Sequence, residues 1–239
     1  MTHAVSTARG GTRNAVSGAA LLLLLQFVTM WGAFFILAPT INWPASLDEP
    51  PAVILPLILD QSGAVFVGYL SYLIHALTLI PLAILLRDAL GLDGAMGRAV
   101  VGLGILAGFA KAFGIARWLF LMPGLAAAYT DPTATQATQA AIAVVYQAFN
   151  AYAGGVGELL GGGLFAGVWT ILIAQAVLRR GWRRLGYAGF GAAALLLSTL
   201  LSVVGISSPI MLTVSGILWQ VWTLALAIAL WRHAAGEAG

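Results

Sequence analysis

The chain contains no cysteine, which excludes disulfide staples, thiolate metal sites and a cysteine nucleophile and leaves the redox compartment unmarked. Charge is scarce too: Asp, Glu, Lys and Arg make up 8% of 239 residues, against about 25% in a soluble globular domain. Of three histidines, His3 and His233 lie near the ends and only His75 falls inside an apolar run. A single intramembrane histidine excludes a bis-His haem. No second carboxylate accompanies Glu158 at helical spacing, so no metal-ligand set can be assembled. The sequence has no G-x-S-x-G, no Walker A element and no glycine fingerprint that follows a strand, which removes the common hydrolase, P-loop and dinucleotide-binding readings. No catalytic set and no cofactor emerge from these patterns.

What the chain has instead is hydrophobicity. With 61% hydrophobic residues and a mean hydropathy of +0.96, it is an integral membrane protein whose first partner is the lipid bilayer. Runs long enough to cross about 30 Å of hydrocarbon occur at about 16–39, 62–87, 97–122, 155–178, 185–206 and 209–231. They predict an all-α fold, a polytopic bundle of six transmembrane helices forming one domain over 16–232, between tails at 1–15 and 233–239. The first run is longer than the usual signal-peptide core, so it reads as a retained anchor. A retinal-type Schiff base would place its lysine on the last of seven spans; Lys111 is on the third of six.

Nine of the eleven basic residues, Arg9, Arg13, Arg87, Arg98, Arg179, Arg180, Arg183, Arg184 and Arg232, flank the ends of these runs. All nine fall on one side if the spans alternate. The segments 40–61, 123–135 and 207–208 hold no Lys or Arg, and the first two carry Asp48, Glu49, Asp60 and Asp131. The positive-inside rule therefore predicts both termini in the cytoplasm. The pI of about 9.6 reflects topology rather than nucleic-acid binding, because the basic residues sit at helix ends and form no solvated stripe.

The stretch 134–178 is too long for one span. Reading it as two would move the arginines at 179–184 to the outside, so 134–153 is expected to be an outer amphipathic helix leading into the fourth span. Its apolar face would carry Ile142, Val145, Phe149 and Tyr152, and its polar face Gln136, Gln139, Gln147 and Asn150. With Trp43, the prolines and Val53–Leu59 of the first outer loop, this makes an extracytoplasmic interfacial cap. Trp31, Trp43, Trp118, Trp182 and Trp231, near run ends, are expected to form interface belts.

Two basic residues, Lys111 and Arg117, lie inside a run, and ionisable groups there are costly. Counting 1.5 Å per residue from each inner helix end puts Lys111, His75 and Gln220 roughly 18–20 Å above the inner boundary, with Gln26 near them. The same count puts Arg117 and Glu158 roughly 28–32 Å up. They are expected to pair, since neither charge should stand alone in low dielectric. Ser71, Tyr72, His75 and Thr78 form one stripe on the second span, and Thr213, Gly216, Gln220 and Thr223 another on the sixth. Both stripes should face the interior, with Lys111 pointing toward them. Gly157, Gly161, Gly163 and Gly167 give the fourth span a small-xxx-small pattern for tight packing.

The run Arg117-Trp118, Met122 to Ala126, Tyr129, Asp131-Pro132, then Asn150, Tyr152, Gly155, Gly157-Glu158, Leu160-Gly161 and Trp169-Thr170 resembles an uncharacterised bacterial family of six-helix membrane proteins classed as a domain of unknown function. The resemblance implies a six-span fold in a bacterial cytoplasmic membrane, with Arg117 and Glu158 inside the shared motif. It implies no activity.

Three functions compete. The first is a non-enzymatic membrane protein with an intramembrane polar pocket, in which Arg117, Glu158, Lys111, His75, Gln220 and Tyr72 bind a small molecule or lipid headgroup, with transport as one use of it. The second is an accessory subunit whose glycine faces pack against other membrane chains. The third is an intramembrane enzyme using His75 as base, which ranks last for want of a nucleophile or metal.

Overall fold

A computed structural model describes the backbone of residues 2–206 and 209–236, and the side chains of 14–206 and 210–235. Met1, residues 207–208 and residues 237–239 fall outside the described residues, as do the side chains of Arg9 and Arg13. The described residues are mostly helical, with no strand. Nine α-helices are described: α1 (Thr2–Ile41), α2 (Pro51–Asp60), α3 (Ser62–Ala89), α4 (Gly94–Phe120), α5 (Met122–Thr130), α6 (Gln136–Gly154), α7 (Ala166–Arg179), α8 (Arg183–Ser198) and α9 (Pro209–Gly236). A π-helical segment, Gly155–Phe165, joins α6 to α7, and 3-10 turns occupy Ala45–Asp48 and Thr199–Val204.

Six of the helical stretches are long and apolar enough to cross a membrane. Each packs on the next in sequence, and α1 meets α9, so α1, α3, α4, the π segment with α7, α8 and α9 close into a ring. The stretch read as the N-terminal tail is helical from Thr2 on, continuous with the first span. Asn42, in the left-handed region at φ 57°, stops α1, a conformation that Asn tolerates through its short polar side chain.

Two expectations need correction at one end of the ring. The segment 123–135 is mostly helix: Pro123 sits in the first turn of α5, where its missing N–H costs nothing, and the Leu121 N–H still bonds the Arg117 carbonyl. Only the turn after Thr130 is irregular, where the Thr133 hydroxyl and N–H both donate to Asp131 and hold its carboxyl below the usual carboxylate range. The second concerns α6, whose expected apolar face is divided. Val145, Phe149 and Tyr152 are exposed, while Ile142 packs against the core and Tyr146 is buried. Asn150 turns inward instead, and Gln139 donates to the Tyr129 carbonyl. A polar group on a helix beside other helices finds hydrogen-bond partners inward and none in lipid.

From Gln136 to Arg179 the fourth span runs as one helical stretch of 44 residues. At 1.5 Å per residue this is on the order of 60 Å, twice the hydrocarbon thickness, so about half of it extends past the hydrocarbon. At the end away from the arginines, α2, α5 and α6 pack together over α3 and α4, around Ile54, Leu55, Ile58, Met122 and Ala126. At the opposite end a second apolar core, including Leu23, Leu86, Trp169, Ile173 and Leu226, draws on all six spans. The first of these cores contains nothing from α8 or α9. The ring is therefore closed by side-chain packing at the arginine end and opens into a cavity toward the other.

Sidedness rests on the arginine asymmetry alone, and the absence of cysteine makes it simple to test. Ala95 and Pro132 are both exposed, at opposite ends of the ring. With single cysteines at each and an impermeant maleimide on intact cells, position 132 should label and position 95 should not. The reverse pattern would invert the topology.

Candidate functional site

A cavity of about 150 Å³ lies among the halves of α1, α3, α4, the π segment, α8 and α9 that point away from the arginine end, beneath the turn that carries Trp43, Pro44 and Leu47. One buried water needs on the order of 15 Å³, so the space accommodates several waters or a small polar group. His75, Lys111, Arg117, Glu158, Gln220 and Tyr72, the six residues singled out in the sequence, all line it. The two layers estimated from helix depth thus belong to one space.

Its floor is a relay across three helices. The Gln26 amide donates to the His75 carbonyl at 3.1 Å, and His75 Nδ1 lies 3.0 Å from the Gln26 carbonyl. A carbonyl only accepts, so Nδ1 carries the proton and Nε2 presents a lone pair. Lys111 Nζ stands 3.2 Å from that nitrogen and donates to it. On its other side the ammonium lies over the Trp219 ring, 5.2 Å from the centroid, a cation–π contact. Lys111 therefore points toward α3 and α9. Its neighbours differ in part from those expected: Trp219 takes the place of Gln220, and Gln26 reaches it only through His75. The backbones approach closely around it, since a Cβ on Gly161 would stand 2.7 Å from the Lys111 backbone nitrogen and one on Gly108 3.0 Å from the Ala76 carbonyl oxygen.

The upper wall is an ion-pair network. Arg117, 7% exposed, donates from Nη2 to Glu158 at 3.2 Å, from Nη1 to the Gly114 carbonyl at 2.8 Å and from Nε to Asn150 at 3.1 Å. Asn150 in turn donates to the Leu47 carbonyl at 2.8 Å. One guanidinium thus ties α4 to α6, to the π segment and, through Asn150, to the turn that carries Leu47. A third of the Glu158 side chain remains accessible. The π turns carry Glu158 at this level, and such turns, rare within α-helices, occur often at functional sites. Here five glycines among eleven residues keep the wide turn uncrowded.

Trp31, Trp43 and Trp118 do not form an outward belt. Trp31 and Trp43 line the cavity, and Trp118 is buried with its ring stacked on Tyr69 at 4.8 Å. Trp43 packs edge-on against Tyr72 at 5.6 Å. Only Trp231 of the expected belt is strongly exposed. Trp219 faces the cavity and donates to Thr170 at 2.9 Å, while Trp222 donates to the Leu185 carbonyl. Sequence reasoning missed Asn150 and Tyr69 as parts of the site. Asn150 was legible as a polar residue on an apolar stretch, but Tyr69 carries no such signal. Among the described residues, Trp31 Nε1, the Tyr69 hydroxyl and Gln220 Oε1, all on cavity-lining residues, have no hydrogen-bond partner.

Six apolar helices in a ring, with ionisable side chains buried between them, define a multi-pass membrane protein. The chain belongs to the family DUF4386, a domain of unknown function, whose profile matches residues 18–231 and so takes in almost all of the ring. No curated protein and no solved structure matches it.

Proposed function

We propose that this is a ligand-handling protein of a bacterial cytoplasmic membrane, which binds a small molecule or lipid headgroup in the outer half of its ring without chemically transforming it. The observation that carries this reading is the convergence of Lys111, His75, Arg117, Glu158, Tyr72 and Gln220 from four elements onto one cavity. Buried charge and unpaired polar atoms are costly inside a bilayer, and proteins retain them where they meet a substrate, an ion or water. The turn that carries Trp43, Pro44 and Leu47 covers the cavity, on the extracytoplasmic side by the arginine asymmetry.

Gly216 offers a direct test, because it lines the cavity and a Cβ there has nothing within 4 Å. Gly216→Phe should fill the space with little strain. Native mass spectrometry of gently extracted protein is expected to show a small-molecule or lipid adduct in the wild type that is absent in Gly216→Phe. A bare wild-type chain bound stoichiometrically to a second membrane protein, unchanged by Gly216→Phe, would overturn the proposal in favour of an accessory subunit.

A further inference from the structure

The charges lining the cavity do not balance. Arg117 and Glu158 neutralise each other, which leaves the Lys111 ammonium. Among the described residues no carboxylate pairs with Lys111, and Glu158 is taken by Arg117. One of its protons goes to His75 and one face lies on Trp219. Neither partner carries the opposite charge. The His75 lone pair is in turn fixed by the reciprocal Gln26–His75 hydrogen bonds, so the ammonium is oriented as well as buried.

The unpartnered atoms of the lining point the same way. Trp31 Nε1 only donates and the Tyr69 hydroxyl has a proton to give, while Gln220 Oε1 is a single acceptor. Tyr69 and Gln220 are 1% and 3% exposed, so bulk solvent does not satisfy them. Donors and positive charge exceed acceptors and negative charge. The rest of the lining is largely apolar, including Phe34, Trp43, Ile115, Leu196, Leu212 and Ile217.

We infer that the ligand is a singly charged anion with an apolar portion. Its carboxylate or phosphate-ester head sits on Lys111 and accepts from Trp31 or Tyr69, and its hydrocarbon lies against the aromatic lining. The inference rests on the ligand-binding reading above and adds the charge class. The same head chemistry occurs on a free organic acid and on an anionic phospholipid. His75 is a positioning residue here: it aims the ammonium and does not itself meet the anion.

The test uses the full chain in nanodiscs of zwitterionic lipid, with thermal stability and tryptophan fluorescence as readouts. The probes are octanoate, octanol and octyltrimethylammonium, matched in chain and different in charge. Octanoate should stabilise the protein and change its tryptophan emission, and the other two should not. Lys111→Met should weaken octanoate binding by about 10–100-fold, the loss expected for one charge-assisted hydrogen bond, and Lys111→Arg should retain much of it. Equal binding of all three probes would overturn the anion assignment while leaving a ligand cavity standing. Binding of octanol or octyltrimethylammonium alone would do the same. Failure of every probe to bind would count against both. Octanoate binding that Lys111→Met leaves unchanged would place the anion elsewhere and overturn the assignment. If Lys111→Met does not fold, the three-probe comparison on the wild type still decides. Nanodiscs containing phosphatidylglycerol separate the sources: competition with octanoate marks a lipid headgroup as the ligand, and undiminished octanoate binding marks a free acid.

Discussion

Glu158→Gln is expected to lower the stability of the wild-type protein by about 2 kcal/mol and that of an Arg117→Gln background by much less. Removing one partner of a buried ion pair costs roughly 3–5 kcal/mol, because the other charge is stranded in low dielectric. The figure is reduced here because a third of the Glu158 side chain stays accessible and Arg117 keeps Asn150 and the Gly114 carbonyl. Arg117→Gln should be the more damaging single change, since it releases α6, the π segment and, through Asn150, the turn that carries Leu47 together. Thermal unfolding of the four proteins in one detergent closes a double-mutant cycle. A coupling of about 1–2 kcal/mol is expected, and strictly additive losses would show that the 3.2 Å contact carries no energetic weight.

The second large effect concerns two backbones rather than two charges. Where α4 crosses the π segment, a Cβ on Gly114 would lie 2.7 Å from the Gly157 Cα and 2.8 Å from the Ala153 carbonyl oxygen, and one on Gly157 would lie 2.9 Å from the Gly114 Cα. No side chain is there to move aside. The helices themselves must separate, which would also disturb Arg117 three residues on and Glu158 next door. Gly114→Ala is therefore expected to cost about 3 kcal/mol, the upper part of the overpacking range, and Gly114→Val more. Gly155→Ala is the control, because a Cβ there meets nothing within 4 Å. That change should be neutral or stabilising by up to about 1 kcal/mol, as alanine is the better helix former. A large loss at 155 would mean that the π segment demands glycine for its own backbone, and no loss at 114 would mean that the close helix approach carries no weight.

Hydropathy and charge spacing read along the chain give the all-α class, the six spans and the inward direction of Lys111, because these depend on properties of single stretches: length against bilayer thickness, and the cost of a charge in lipid. The Arg117–Glu158 contact follows from depth alone, since both residues count to one level and have opposite sign. The sequence also shows that glycines repeat on the fourth span. It does not show that Gly114 and Gly157 touch while Gly155 faces open space, because that depends on which helix lies opposite. The faces of α6 and the direction of Trp31, Trp43 and Trp118 turn on the same question. A tryptophan near a run end has one hydropathy whether it meets lipid or a cavity, and a polar face points inward only when a neighbour offers partners. The merging of the two polar layers into one cavity is likewise tertiary. It requires the ring to close at the arginine end through Leu23, Trp169 and Leu226 and to stay open at the other end, where α8 and α9 contribute nothing to the core, and such packing among six helices is a property of no single one of them.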